Sequence, residues 1–126
     1  MNQIITIAIF IIIFIVGIYF LTGSNVENIS VDQLRLRLNS DKKIAVIDVR
    51  TPSEYNGKIG HIENSILMPL SELEQSLNKV NWKEYDEIYT ICLAGGRSAR
   101  AVSILQKNDI QAINVRGGMT AWNLLK

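Results

Sequence analysis

The sequence predicts an α/β domain, a parallel sheet flanked by helices, preceded by one amino-terminal transmembrane helix. Three observations point there. Short β-branched runs at residues 44–49, 88–91 and 112–115 alternate with stretches of helical periodicity, the pattern of a helix-covered parallel sheet. All 25 Lys, Arg, Asp and Glu side chains lie from Glu27 onward, while residues 1–21 carry none and are dominated by Ile and Phe. The only cysteine, Cys92, closes a strand and is followed by a glycine loop and a helix.

Residues 4–21 form an 18-residue run broken by Thr6 and Gly17, about 27 Å as a helix at about 1.5 Å per residue. A single spanning anchor is expected over a cleaved signal peptide, because no Lys or Arg precedes the run and no small-x-small cleavage site follows it. Arg35 and Arg37, beyond its carboxyl end, place the domain in the cytoplasm by the positive-inside rule. The expected organisation is an anchor at 1–22, a linker at 23–28 and one domain at 29–126, with the membrane as a partner.

Within the domain, Ser30 and Gln33 make a capping-box pattern for a first helix ending near Asn39 and Ser40. A buried strand at 44–49 ends in Asp48-Val49-Arg50. Pro52 and Ser53 open a turn or short helix carrying Glu54 and Tyr55, and residues 65–69 form a short strand. Ser71 caps a helix with Leu73, Leu77 and Val80 on its apolar face. After the cysteine loop come a helix with Ala101, Ile104 and Leu105 in the core, a strand at 112–115, a Gly117-Gly118 turn and a terminal helix with Trp122 as a packing anchor.

Composition removes several function classes. With 13 basic and 12 acidic side chains there is no electrostatic case for nucleic acid. One cysteine excludes an internal disulfide and a cysteine-based zinc site, and with a single histidine no structural metal and no cofactor is expected. His61 could serve as base, ligand or structural residue; a hydrogen bond to the backbone is the expected role.

The chemistry centres on Cys92. A thiol between a strand end and a helix amino terminus faces NH groups and the positive end of a helix dipole, which favours thiolate. Arg97 can add a cation, and Gly95 and Gly96 let the backbone curl round an anion.

The run Cys92-Leu93-Ala94-Gly95-Gly96-Arg97-Ser98 resembles the active-site loop of rhodanese-like sulfurtransferases. Ile47-Asp48-Val49-Arg50, Glu54-Tyr55, Gly60-His61-Ile62 and Pro69 ahead of it, and Val115-Arg116-Gly117-Gly118 with Trp122 after it, match the same family in order. The resemblance implies a Cys92 persulfide held by Leu93, Ala94, Gly95, Gly96, Arg97 and Ser98, with Asp48, Arg50 and Glu54 as supporting residues. It implies a sulfane-sulfur donor, such as thiosulfate or a persulfide, and a thiol or cyanide-like acceptor, one of which could be a protein. Leu93 departs from the Arg or Lys common in thiosulfate-using members, which lowers the local positive charge. For Ser98, capping of the following helix is expected over contact with the anion.

Two other readings remain open. Related phosphatases space cysteine and arginine by five residues against four here, so the loop size favours sulfur over phosphate. A tethered binding or regulatory module could keep the fold without turnover.

Overall fold

The computed structural model describes residues 2–21 and 25–125, except the side chain of residue 20. Residues 23 and 24, where the expected linker begins, lie outside the described residues. The described strands form one parallel sheet in the order β1-β5-β4-β2-β3. They are β1 (Asn28–Ile29), β2 (Ile44–Asp48), β3 (Ile66–Leu67), β4 (Glu87–Ile91) and β5 (Ile113–Val115). The helices are α1 (Gln3–Leu21), α2 (Val31–Leu38), α3 (Pro52–Tyr55), α4 (Leu73–Ser76), α5 (Gly96–Lys107) and α6 (Gly118–Leu124).

Period-two alternation splits the core into two layers, because successive strand side chains point to opposite faces. On one face Ala45, Ile47, Val49 and Ile88 pack with Leu73 of α4 and with Ala101, Val102 and Leu105 of α5. On the other, Val46, Tyr89, Ile91 and Val115 pack with Val31 and Leu34 of α2 and Met119 of α6. Helix α2 carries the expected capping box, with Gln33 N donating to Ser30 Oγ and Ser30 N donating to Gln33 Oε1.

Three expectations need revision. Strand β1 was not foreseen: Asn28, assigned to the linker, pairs with Asn114, and Arg116 N donates to Ile29 O at 2.8 Å. Two residues carry no periodicity, so only the open edge of β5 defines this strand. The helix expected after Ser71 is broken into a 3-10 turn at Leu70–Glu72, the single turn of α4, and a second 3-10 turn at Leu77–Lys79. Leu70 N is held by Val49 O at 3.0 Å and Leu73 is fully buried, so tertiary anchoring overrides the local pattern.

The transmembrane anchor, and with it the single-pass membrane localisation, the cytoplasmic placement and the membrane as partner, is not upheld. Among the described residues, no helix is long and apolar enough to cross a membrane. Helix α1 is 19 residues long, about 28 Å at about 1.5 Å per residue against roughly 30 Å of hydrocarbon, and its first residue, Gln3, is polar.

Candidate active site

Strands β2 and β4 lie side by side in parallel, with Asp48 level with Ile91. Their carboxyl ends therefore deliver Arg50 and Cys92 to the same edge of the sheet, where a parallel α/β fold places its ligands. Cys92 is 1% exposed. Its Sγ accepts hydrogen bonds from Gly95 N at 3.0 Å and Ser98 Oγ at 3.2 Å. Burial alone pushes this thiol up. The Ser98 hydroxyl and the backbone NH groups of Ser98, Gly95 and Ala94 outweigh it and hold the thiol below its ordinary value, because all of them stabilise the thiolate.

The loop takes its shape from three fixtures. Gly95 has φ +114°, a left-handed conformation that side chains rarely adopt, and it carries the chain from the NH that faces the sulfur into the first turn of α5. Gly96, paired with Gly95 in the sequence reading, has ordinary backbone and open space around it, so only Gly95 is required by geometry. Thr90 Oγ1 of β4 donates to Ser98 O at 2.9 Å and ties the first turn of α5 to the sheet.

The third fixture is α6. Met119 N donates to Cys92 O at 2.8 Å and Thr120 N to Leu93 O at 3.0 Å, so the amino end of α6 holds the first two loop carbonyls. A side chain at Gly118, whose φ is +56°, would overlap both carbonyl oxygens. The sequence marked this glycine pair as a turn; its contact with the loop had no signal except the match of Val115-Arg116-Gly117-Gly118 to the family pattern.

Ser98 does not cap α5. The helix begins at Gly96 with Gly95 in the cap position, so Ser98 lies inside the first turn, fully buried. Its hydroxyl is within reach of Gly95 O at 3.1 Å and Cys92 Sγ at 3.2 Å. One proton serves one acceptor at a time, and a thiolate is the stronger acceptor.

Arg97 is not directed at the sulfur by a bond of its own. Its two terminal nitrogens donate to the two carboxylate oxygens of Glu54, at 2.7 and 2.8 Å. The contact with Arg97 outweighs burial and, helped by Thr51, holds the Glu54 carboxyl down at about 2; Glu54 in turn raises Arg97 above its ordinary value. Leu93 is half-buried, Ala94 and Arg100 are exposed.

Asp48 and Arg50 support this arrangement without touching the sulfur. Both are buried, and Arg50 donates from Nε and Nη2 to the Asp48 carboxylate at 2.9 and 2.7 Å. Arg50 also donates to Glu54 O at 3.3 Å and Gly60 O at 2.8 Å, so it fixes α3 and the loop behind it. Glu54 completes the chain as the third residue of α3, in a capping box with Thr51. His61 is exposed, stacks on Tyr55 with ring centres 3.6 Å apart, and donates from Nδ1 to Tyr55 O at 2.9 Å. Trp122 lies beneath the Arg35 guanidinium, 3.9 Å from its ring centre, on the sheet face opposite α5.

The sequence profile described as the rhodanese-like domain matches residues 30–125. A Bacillus subtilis protein called "Putative sulfur carrier protein YrkF" is 36% identical over 101 residues, which is 79% of this chain and 52% of that protein. A protein of Allochromatium vinosum called "Sulfurtransferase" is 28% identical over 98 residues, 77% of this chain and 88% of that protein. The crystal structure of a rhodanese-like domain protein from Staphylococcus aureus superposes with a TM-score of 0.69 at 37% identity, covering 77% of this chain and 91% of that one. The chain thus spans about half the length of YrkF and nearly all of the other two. With a parallel sheet of this topology, a cysteine loop at its carboxyl edge and a profile match over 30–125, the chain belongs to the rhodanese-like domain family.

Proposed function

We propose that this chain transfers sulfane sulfur through a persulfide on Cys92, from thiosulfate or a persulfide donor to a thiol or cyanide-like acceptor. The observation that carries the reading is the set of hydrogen bonds converging on Cys92 Sγ from Gly95 N and Ser98 Oγ. They stabilise the nucleophilic form of a thiol that burial by itself would keep protonated.

The Cys92 thiolate attacks the outer sulfur of the donor. A Cys92 sulfur–sulfur bond forms as the donor's own breaks, and the leaving group, sulfite or a thiolate, departs with the electron pair. The acceptor then attacks the outer sulfur of the persulfide and regenerates the Cys92 thiolate. The backbone from Leu93 to Ser98 cradles the anionic sulfur in both steps, and Gly95 and Ser98 supply its donors. Asp48, Arg50 and Glu54 hold the surrounding segments in place.

Intact-protein mass spectrometry tests this on the full chain, reduced, freed of reductant and exposed to thiosulfate or a small persulfide. The expected result is gain of one sulfur by the parent, its loss on adding cyanide, and no gain by Cys92→Ser. A folded parent that neither donor loads would instead be a binding or regulatory module.

A further inference from the structure

We propose that Glu54 determines the donor class of this site: by occupying both ends of the Arg97 guanidinium it withdraws the loop's cation, so that the site prefers a persulfide, with at most one negative charge, over the thiosulfate dianion. This rests on the sulfurtransferase reading and adds to it the charge the donor carries.

Between Leu93 and Ser98 the loop contains one charged residue, Arg97, and both of its terminal nitrogens face Glu54 oxygens at 2.7 and 2.8 Å. This is the two-point fork in which guanidinium and carboxylate satisfy each other most fully. It is also a built arm and not a loose surface pair. Thr51 N and Oγ1 donate to Glu54 Oε1 at 3.3 and 3.1 Å, Arg50 holds Glu54 O, and the two side chains are only 35% and 30% exposed.

The groups that hydrogen-bond the sulfur are themselves neutral. The groups converging on the sulfur are backbone NH dipoles and the Ser98 hydroxyl, sufficient for the single charge of a thiolate or a persulfide. Thiosulfate brings two further charges toward a thiolate. In the reaction S–SO3 2− plus Cys92–S− gives Cys92–S–S− plus SO3 2−, three negative charges must share the site in the transition state. In R–S–SH plus Cys92–S− gives Cys92–S–SH plus R–S−, one charge is present throughout. A free arginine beside the loop would lower the barrier of the first reaction much more than that of the second; an arginine neutralised by Glu54 does not.

The test measures single-turnover loading of Cys92 by rapid quench and mass spectrometry on the full chain, with thiosulfate and with 2-hydroxyethyl persulfide. It compares the parent, Glu54→Gln, and Glu54→Gln combined with Arg97→Gln. Glutamine keeps the shape of Glu54 and an acceptor for Thr51, and the ratio of the two rate constants cancels any loss of active protein. The expected result is that Glu54→Gln raises the thiosulfate-to-persulfide ratio by roughly tenfold or more, the size of one hydrogen bond to a charged group. That gain should shrink as salt is raised and vanish in the double variant. A ratio unchanged in Glu54→Gln that still loads from the persulfide overturns the role of Glu54 and leaves the sulfurtransferase reading standing. Failure of both donors to load the folded parent overturns both.

Discussion

Ser98 Oγ stands 3.2 Å from Cys92 Sγ, inside the first turn of α5 and shut off from solvent. In a buried site a hydroxyl aimed at a sulfur acts mainly on the charged form, because together with the Gly95 NH it replaces the water that a thiolate would otherwise bind. Ser98→Ala should therefore move the pH inflection of Cys92 alkylation upward and lower its rate at pH 7 by roughly tenfold or more. Iodoacetamide kinetics across pH measure this; an unmoved inflection would assign thiolate stabilisation to the backbone alone.

Gly118 lies against the carbonyls of Cys92 and Leu93 with φ +56°. Gly118→Ala adds a methyl where those oxygens stand and forces an unfavourable backbone conformation. The expected cost is about 2–5 kcal/mol in urea unfolding, with altered Cys92 alkylation, since the displaced groups are the loop itself. Gly96→Ala, in open space within a helix, should leave stability unchanged or slightly raised.

Asp48 and Arg50 are 0% and 1% exposed and satisfy each other in the interior. Arg50→Met leaves the Asp48 carboxylate buried without its partner and frees the carbonyls of Glu54 and Gly60. Destabilisation of roughly 3–5 kcal/mol is expected by urea titration. Asp48→Leu with Arg50→Met should recover part of it; no recovery would mean that the contacts to α3 and Gly60 outweigh the ion pair.

Acid should release the Glu54–Arg97 pair. The folded carboxyl sits at about 2, against 4.5 without the contacts, chiefly because Arg97 hydrogen-bonds its charged form. A folded value below the unfolded one means that the contribution to stability is full above pH 4.5 and is lost as pH falls toward 2. The melting temperature of Glu54→Gln should therefore lie below that of the parent at pH 7 and approach it near pH 2. A constant difference across that range would show that the pair adds nothing beyond packing.

Local chemistry made much of this protein legible. The capping box of α2 depends on residues three apart, and an apolar strand followed by a glycine turn placed the Cys92 thiol at a strand end before any packing was known. The helix after Ser71 and the two-residue β1 were not legible, because Val49 O and the β5 edge, both distant in sequence, decide them. The charge-free amino-terminal segment is helical as its composition suggests, yet among the described residues it yields no helix long and apolar enough to cross a membrane.

The sequence by itself determined most of the elements, their alternation and the place of Cys92 at a strand end, since these follow from side-chain periodicity and the turn chemistry of neighbouring residues. Tertiary structure alone decided that Arg97 is tied to Glu54, 43 positions away, that Ser98 turns to the sulfur, and that α6 grips the cysteine loop. Charge and hydrogen bonding act through space, and it is the parallel register of β2 and β4 that brings those residues to one edge of the sheet.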